Sequence, residues 1–282
     1  MISAKFTSTL VLVLLLLGAS FLFREDISRL LSFQEKAPAG SMPYSDESSL
    51  SGGEEGNKKE SAQVLPTPVK PVISAPARPQ YTGRDPTEVR PVPDEVRLFT
   101  AEQKEQLYAT LQTHGRAVKA DPEYFNGWIQ VGILKKTIGD FEGAGDAWEY
   151  AGVIQPLNSL SFANLGELYW RYLHDYPKSE KNFRISIKNK PYDPATYISL
   201  AELYHYSMKE KYDLADDVLL EGIAANPQDN PYESLARRLA YLYEQRKEDA
   251  KALDWWKKVL SVAPGDEEVK KDIAELEAKL PK

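Results

Sequence analysis

The sequence predicts an all-α chain: a stack of about four helical hairpins with a flanking helix on each side, preceded by an apolar helix and a linker. Three observations predict it. Pro122, Pro156, Pro191, Pro227 and Pro264 follow one another at 34, 35, 36 and 37 residues. Twelve residues before each of the last four stands a small side chain (Ala144, Ser179, Ala215, Ala252), and eight before stands a large apolar one (Trp148, Phe183, Leu219, Trp256). The first half of each unit repeats a second signature: Trp128-x-x-Val131-Gly132, Phe162-x-x-Leu165-Gly166-x-Leu168-Tyr169, Tyr197-x-x-Leu200-Ala201-x-Leu203-Tyr204 and Leu239-Ala240-x-Leu242-Tyr243.

In chain order, residues 1–5 form a short tail with one lysine, and residues 6–23 are an uncharged run of 18 residues ending at Arg24-Glu25-Asp26. As a helix it would reach about 27 Å, against a bilayer core of about 30 Å. A retained single-pass anchor is the favoured reading. A cleaved secretory signal competes, since Gly18 and Ser20 offer a small-x-small site before Phe21. Positive charge is nearly balanced, with Lys5 before the run and Arg24 and Arg29 after it. The short tail favours an inside N-terminus, so both readings place the soluble part extracytoplasmically, in the periplasm or outside the cell.

Residues 24–97 are expected to be a mostly disordered linker. Between residues 36 and 95 lie ten of the 19 prolines, a Ser/Gly stretch and no hydrophobic period. Such a segment cannot hold a helix and has little to bury.

The folded region is expected over 98–282. Thr100-Ala-Glu-Gln103 has capping-box spacing and opens a helix to about Lys119. The repeats then span about 122–156, 157–191, 192–227 and 228–264. In each, small residues let paired helices approach, large ones fill the gap to the next hairpin, and proline stops the second helix. Pro177 and Pro194 fall at helix starts, where proline is tolerated. One hairpin cannot bury its apolar face alone, so the units should share one apolar spine. Residues 266–280, with Val269, Ile273, Leu276 and Leu280 on one stripe, read as a closing helix.

These motifs resemble the tetratricopeptide repeat family, with its W-x-x-L-G-x-x-Y helix and its A-x-x-x-F helix closed by proline. The resemblance covers residues 122–264. Lys135 stands where the family has an aromatic, Ala236 where it has a large residue, and three units carry one to three extra residues. The resemblance implies a right-handed α-solenoid whose first helices line a concave groove for a protein partner. Carried over, the groove positions include Ile129, Ile133, Trp170, Arg171, His205, Tyr206, Arg237 and Tyr241. Some family members clamp a C-terminal carboxylate. Here the matching positions hold Ile129, Ile133, Asn164, Ala195 and Ser199, and only the asparagine fits.

No catalytic or metal site and no cofactor is predicted. His114, His174 and His205 lie in different helices without ligand spacing, there is no cysteine, and no P-loop, GxGxxG, HExxH or GxSxG motif occurs. His114 reads as a packing residue and His174 as a loop-edge residue. The net charge of −7 with no basic cluster argues against nucleic acid. The function expected is a membrane-tethered, non-enzymatic protein-interaction scaffold in envelope assembly or secretion. The competing readings are a self-associating structural module and, below it, a carbohydrate-binding or enzyme-accessory module.

Overall fold

The computed structural model of the protein describes residues 79–225 and 230–280. The expected membrane helix at 6–23, the linker up to residue 78 and Pro227 lie outside the described residues. Among those described, no helix is long and apolar enough to cross a membrane.

The described residues hold ten α-helices and no strand. Helix α1 (Ala101–Ala120) precedes four hairpins: α2 (Phe125–Thr137) with α3 (Phe141–Ile154), α4 (Leu160–Arg171) with α5 (Tyr176–Asn189), α6 (Pro194–Ser207) with α7 (Ala215–Ala225), and α8 (Asn230–Gln245) with α9 (Asp249–Val262). Helix α10 (Glu267–Lys279) closes the stack. Each helix packs on the next, and the first helices of the last three hairpins also touch one another, α4 on α6 and α6 on α8. That is the stacked arrangement the repeats predict.

Local chemistry sets the helix ends. The box at Thr100 forms both ways: Gln103 N–H donates to Thr100 Oγ1 at 3.2 Å and Thr100 N–H to Gln103 Oε1 at 2.9 Å. Asp140, Asp175 and Asp266 accept from the backbone N–H three residues on, capping α3, α5 and α10. Helices α1, α3, α5 and α9 each stop two residues before their proline, because the residue preceding proline is driven out of the helical region. The turns inside the first, second and fourth hairpins each use one residue of positive φ: Gly139 (86°), His174 (54°) and Lys247 (60°). His174 is thus the loop-edge residue expected. In the third hairpin a 3-10 helix, Lys209–Leu214, takes the place of that turn and absorbs part of the unit's extra length.

Within each hairpin the small and large positions behave as predicted. Ala144, Ser179, Ala215 and Ala252 are fully buried, and Trp148, Phe183, Leu219 and Trp256 fill the space beside them. Each such side chain withdraws enough apolar surface to contribute about 2–3 kcal/mol. The single shared spine is not what forms, however. The buried apolar residues divide into two clusters, one from Val96 to Tyr169 and one from Trp170 to Leu276. The division falls at the second hairpin. There α5 buries only Phe183 and Ile187 as apolar side chains, and fills its other buried positions with Ser179 and Ser186. Ser179 Oγ donates to the Gly166 carbonyl at 2.7 Å, so the polar fill is hydrogen-bonded rather than apolar.

Residues 79–97, the last part of the segment expected to be a linker, lie on the folded helices as a fitted strap. The Tyr81 ring packs tilted on Trp128 and edge-on to Tyr150, with ring centroids 4.3 and 5.3 Å away. Arg84 pairs with Asp146 at 2.8 Å and Asp85 with Lys119 at 2.9 Å. Val92 N–H donates to the Ile138 carbonyl at 2.7 Å, and Val96 is buried. Lys135, the departure from the family pattern, explains the rest. Its ammonium is buried 2.6 Å from Asp140 and donates to the Glu88 carbonyl at 3.1 Å, tying the strap to the first hairpin. An aromatic there could not make that bond.

Candidate partner-binding groove

The face formed by α4, α6 and α8 is held in register by side chains reaching from helix to helix. On α4, Glu167 accepts from Arg171 Nε at 2.6 Å and from Ser199 Oγ of α6 at 2.6 Å. Arg171 also reaches Glu202 of α6 at 3.4 Å and lies over the Trp170 ring, 3.8 Å from its centroid. Glu202 pairs in turn with Arg238 of α8. Arg237, one residue earlier on α8, pairs with Glu233 at 2.7 Å and with Asp266, the cap of α10, at 2.6 Å. The cap bond to Val269 and then Arg237 hold the Asp266 carboxyl below the usual carboxylate range. Opposite charges therefore alternate along the face, each half-neutralised before any partner arrives.

Between α6 and α8 lies a small cleft lined by Glu202, His205, Tyr206, Arg238, Tyr241 and Gln245. Tyr206 is 56% exposed and Tyr241 40%, and they are the exposed aromatic rings of the hairpins' first helices. Arg238 lies 5.4 Å from the Tyr241 centroid. His205 edges onto Tyr206 and stacks on Tyr212, and Arg246 lies over the same Tyr212 ring at 4.7 Å. Its Nδ1 is buried without a hydrogen-bond partner.

Burial first, then Arg246 and Arg238, push the His205 pKa below its ordinary 6.5. Glu202 is the carboxylate on the cleft side and is shared between Arg171 and Arg238. A histidine whose folded pKa is depressed binds fewer protons folded than unfolded, so stability rises with pH. Its contribution should be intact above about 6.5 and be lost as pH falls from there through the folded pKa. Urea unfolding at pH 7.5 and pH 5 checks this. His205→Gln should show a smaller loss between the two than the parent, and an equal loss would place the effect elsewhere, His114 being depressed by burial too.

The sequence-predicted positions divide. Arg171, His205, Tyr206 and Tyr241 meet on this face. Arg237 borders it but is turned toward α10. Trp170 is 6% exposed, donates its indole N–H to Ser207 Oγ at 2.8 Å and serves as the packed base beneath Arg171. Ile129 is 4% exposed within the N-terminal core cluster, and Ile133 is half-buried against the same cluster. Sequence reasoning missed Arg238 and Gln245. Both share the helical stripe of Tyr241, three residues before and four after it, and that spacing was the available signal.

No family model and no curated protein matches the chain. Solved structures similar to it include the C-terminal part of a TPR repeat-containing protein from Cytophaga hutchinsonii, at 23% identity over 61% of this chain and 69% of that one, with a TM-score of 0.49. MamA is similar at 16% identity over 67% of this chain and 99% of its own, with a TM-score of 0.47. A tetratricopeptide repeat protein from Parabacteroides merdae is similar at 15% identity over 65% and 71%, with a TM-score of 0.47.

Proposed function

We propose that the chain is a non-enzymatic protein-interaction scaffold, tethered to a membrane through residues 6–23 with its helical domain on the extracytoplasmic side, and that it holds a partner segment along the α4–α6–α8 face. The observation that carries the reading is the pair of exposed rings, Tyr206 and Tyr241, on adjacent first helices at the rim of one cleft. Tyrosine and arginine beside a cleft are what protein hot spots use, because they supply large contact area at little entropic cost. The ion pairs from Arg171 through Glu202 to Arg238 hold the helices that carry those rings in register, so less ordering is left to oppose association.

The test replaces Tyr206 and Tyr241 by alanine in the full chain and measures capture of the partner identified by cross-linking from position 206. Each change should weaken capture by about tenfold or more, the scale of a hot-spot residue. Capture unchanged in the double variant, with circular dichroism intact, would remove the groove from the function.

A further inference from the structure

A different edge of the stack carries a second surface. The loops that join one hairpin to the next run side by side at the second and third units. The Asn189 amide donates to the carbonyls of Pro156 at 3.0 Å and Asn158 at 2.6 Å, clamping the 155–159 loop against the end of α5. The clamped loop carries Leu157, 83% exposed, and the loop that follows Asn189 carries Tyr192, 69% exposed. These are unusually bare apolar side chains for residues held on fixed backbone.

Basic residues stand beside them. Lys188 and Lys190 are exposed and make no ion pair among the described residues, and Lys181 repeats this one heptad earlier on α5. Helix α5 carries Lys178, Lys181, Arg184 and Lys188 against the single acid Glu180, in a chain of net charge −7. The loop's own carboxylate, Asp193, is occupied by the Thr196 hydroxyl at 3.0 Å.

We propose that this edge, Leu157 and Tyr192 flanked by Lys188 and Lys190, is a peripheral contact for an anionic lipid surface. Leucine and tyrosine at loop tips suit insertion at the headgroup boundary, and lysines just behind them meet lipid phosphates. A protein hot spot wants a pocket, whereas these side chains project from loops. Charge complementarity selects anionic over neutral lipid. The contact is separate from the groove and does not depend on residues 6–23 being an anchor.

The chain has no cysteine, so Leu157→Cys gives a unique attachment point for an environment-sensitive fluorophore, and Lys247→Cys, in a turn inside the fourth hairpin, gives a control. The labelled full chain is mixed with vesicles of phosphatidylcholine alone or with phosphatidylserine, some carrying nitroxide lipid. The expected result is a blue shift and nitroxide quenching at position 157 with phosphatidylserine, absent at position 247 and reversed by salt. Lys188→Glu with Lys190→Glu should weaken it by roughly thirtyfold or more, at about fivefold per lysine removed. No change at 157, an equal change with phosphatidylcholine alone, or a shift that grows with protein concentration without lipid would each overturn the proposal. The last would assign the edge to a second copy of the chain. Co-flotation with neutral vesicles reports separately on residues 6–23.

Discussion

Replacing Lys135 by alanine should destabilise the fold by about 3–5 kcal/mol, the cost of leaving a buried charge without its partner. Lys135 and Asp140 have side chains only 1% and 5% exposed, so neither can be rescued by water. Asp140 also caps α3 through Gly143 N–H at 3.1 Å, and the variant would leave that carboxylate with a single backbone donor. The Glu88 carbonyl loses its donor in the same step, so the strap should loosen with the hairpin. Two measurements follow from one variant: the urea midpoint falls, and trypsin cuts after Arg84 under conditions in which the parent resists. Lys135→Met with Asp140→Asn should recover much of the stability, since Asn still caps and no buried charge remains. It should not restore protease resistance fully, because Met cannot donate to Glu88. A Lys135→Ala midpoint close to the parent's would show the pair to be hydrated and the strap to be held by its other contacts, Tyr81, Arg84, Asp85, Val92 and Val96.

That prediction rests on what the sequence hid. The hairpins were legible because their cause is periodic: proline ends a helix wherever it falls, and a small residue four before a large one marks where two helices close. The cap at Thr100 was legible for the same reason, since its chemistry is local. Residues 79–97 were not. Tyr81, Val89, Val92 and Val96 meet surfaces 30 to 70 residues away, between prolines that erase any period, and composition alone reads such a stretch as unfolded. Lys135 looked like a defect in a repeat because its partners, Asp140 and a backbone carbonyl at Glu88, are fixed only by the tertiary fold. The family register named Tyr206 and Tyr241, which line the cleft, and Arg237 rather than Arg238. Neighbouring residues on a helix point about 100° apart, and only the packing shows that Arg238 turns toward α6 and Arg237 toward α10. Trp170 has the composition of a hot spot, yet its ring is buried, bonded to Ser207 and covered by Arg171.

Two glycine-to-alanine changes in the first hairpin should move stability in opposite directions, and the contrast tests the packing rule directly. Gly132 and Gly145 both lie in helix interiors, where alanine is worth about 0.5–1 kcal/mol over glycine. At Gly145 a new methyl would meet only Leu168 Cδ2, at an ordinary 3.4 Å, so Gly145→Ala should raise stability by about that amount. At Gly132 the methyl would fall well inside 3.0 Å of the Trp148 indole, fully buried and donating to the Ile129 carbonyl at 3.2 Å. The ring cannot retreat without breaking that bond or pushing α3 from α2, so Gly132→Ala should cost about 1–3 kcal/mol despite the better helix former. Gly166 faces Phe183 in the same way and should behave alike. The third hairpin carries the compensated version, Ala201 with Leu219 in place of glycine with an aromatic. Trp148→Leu added to Gly132→Ala should accordingly be less damaging than the sum of the two single changes, as coupled neighbours require. Strict additivity in thermal or urea unfolding would mean that the small and large positions do not set the closeness of the paired helices, and the reading of the repeat would lose its physical basis.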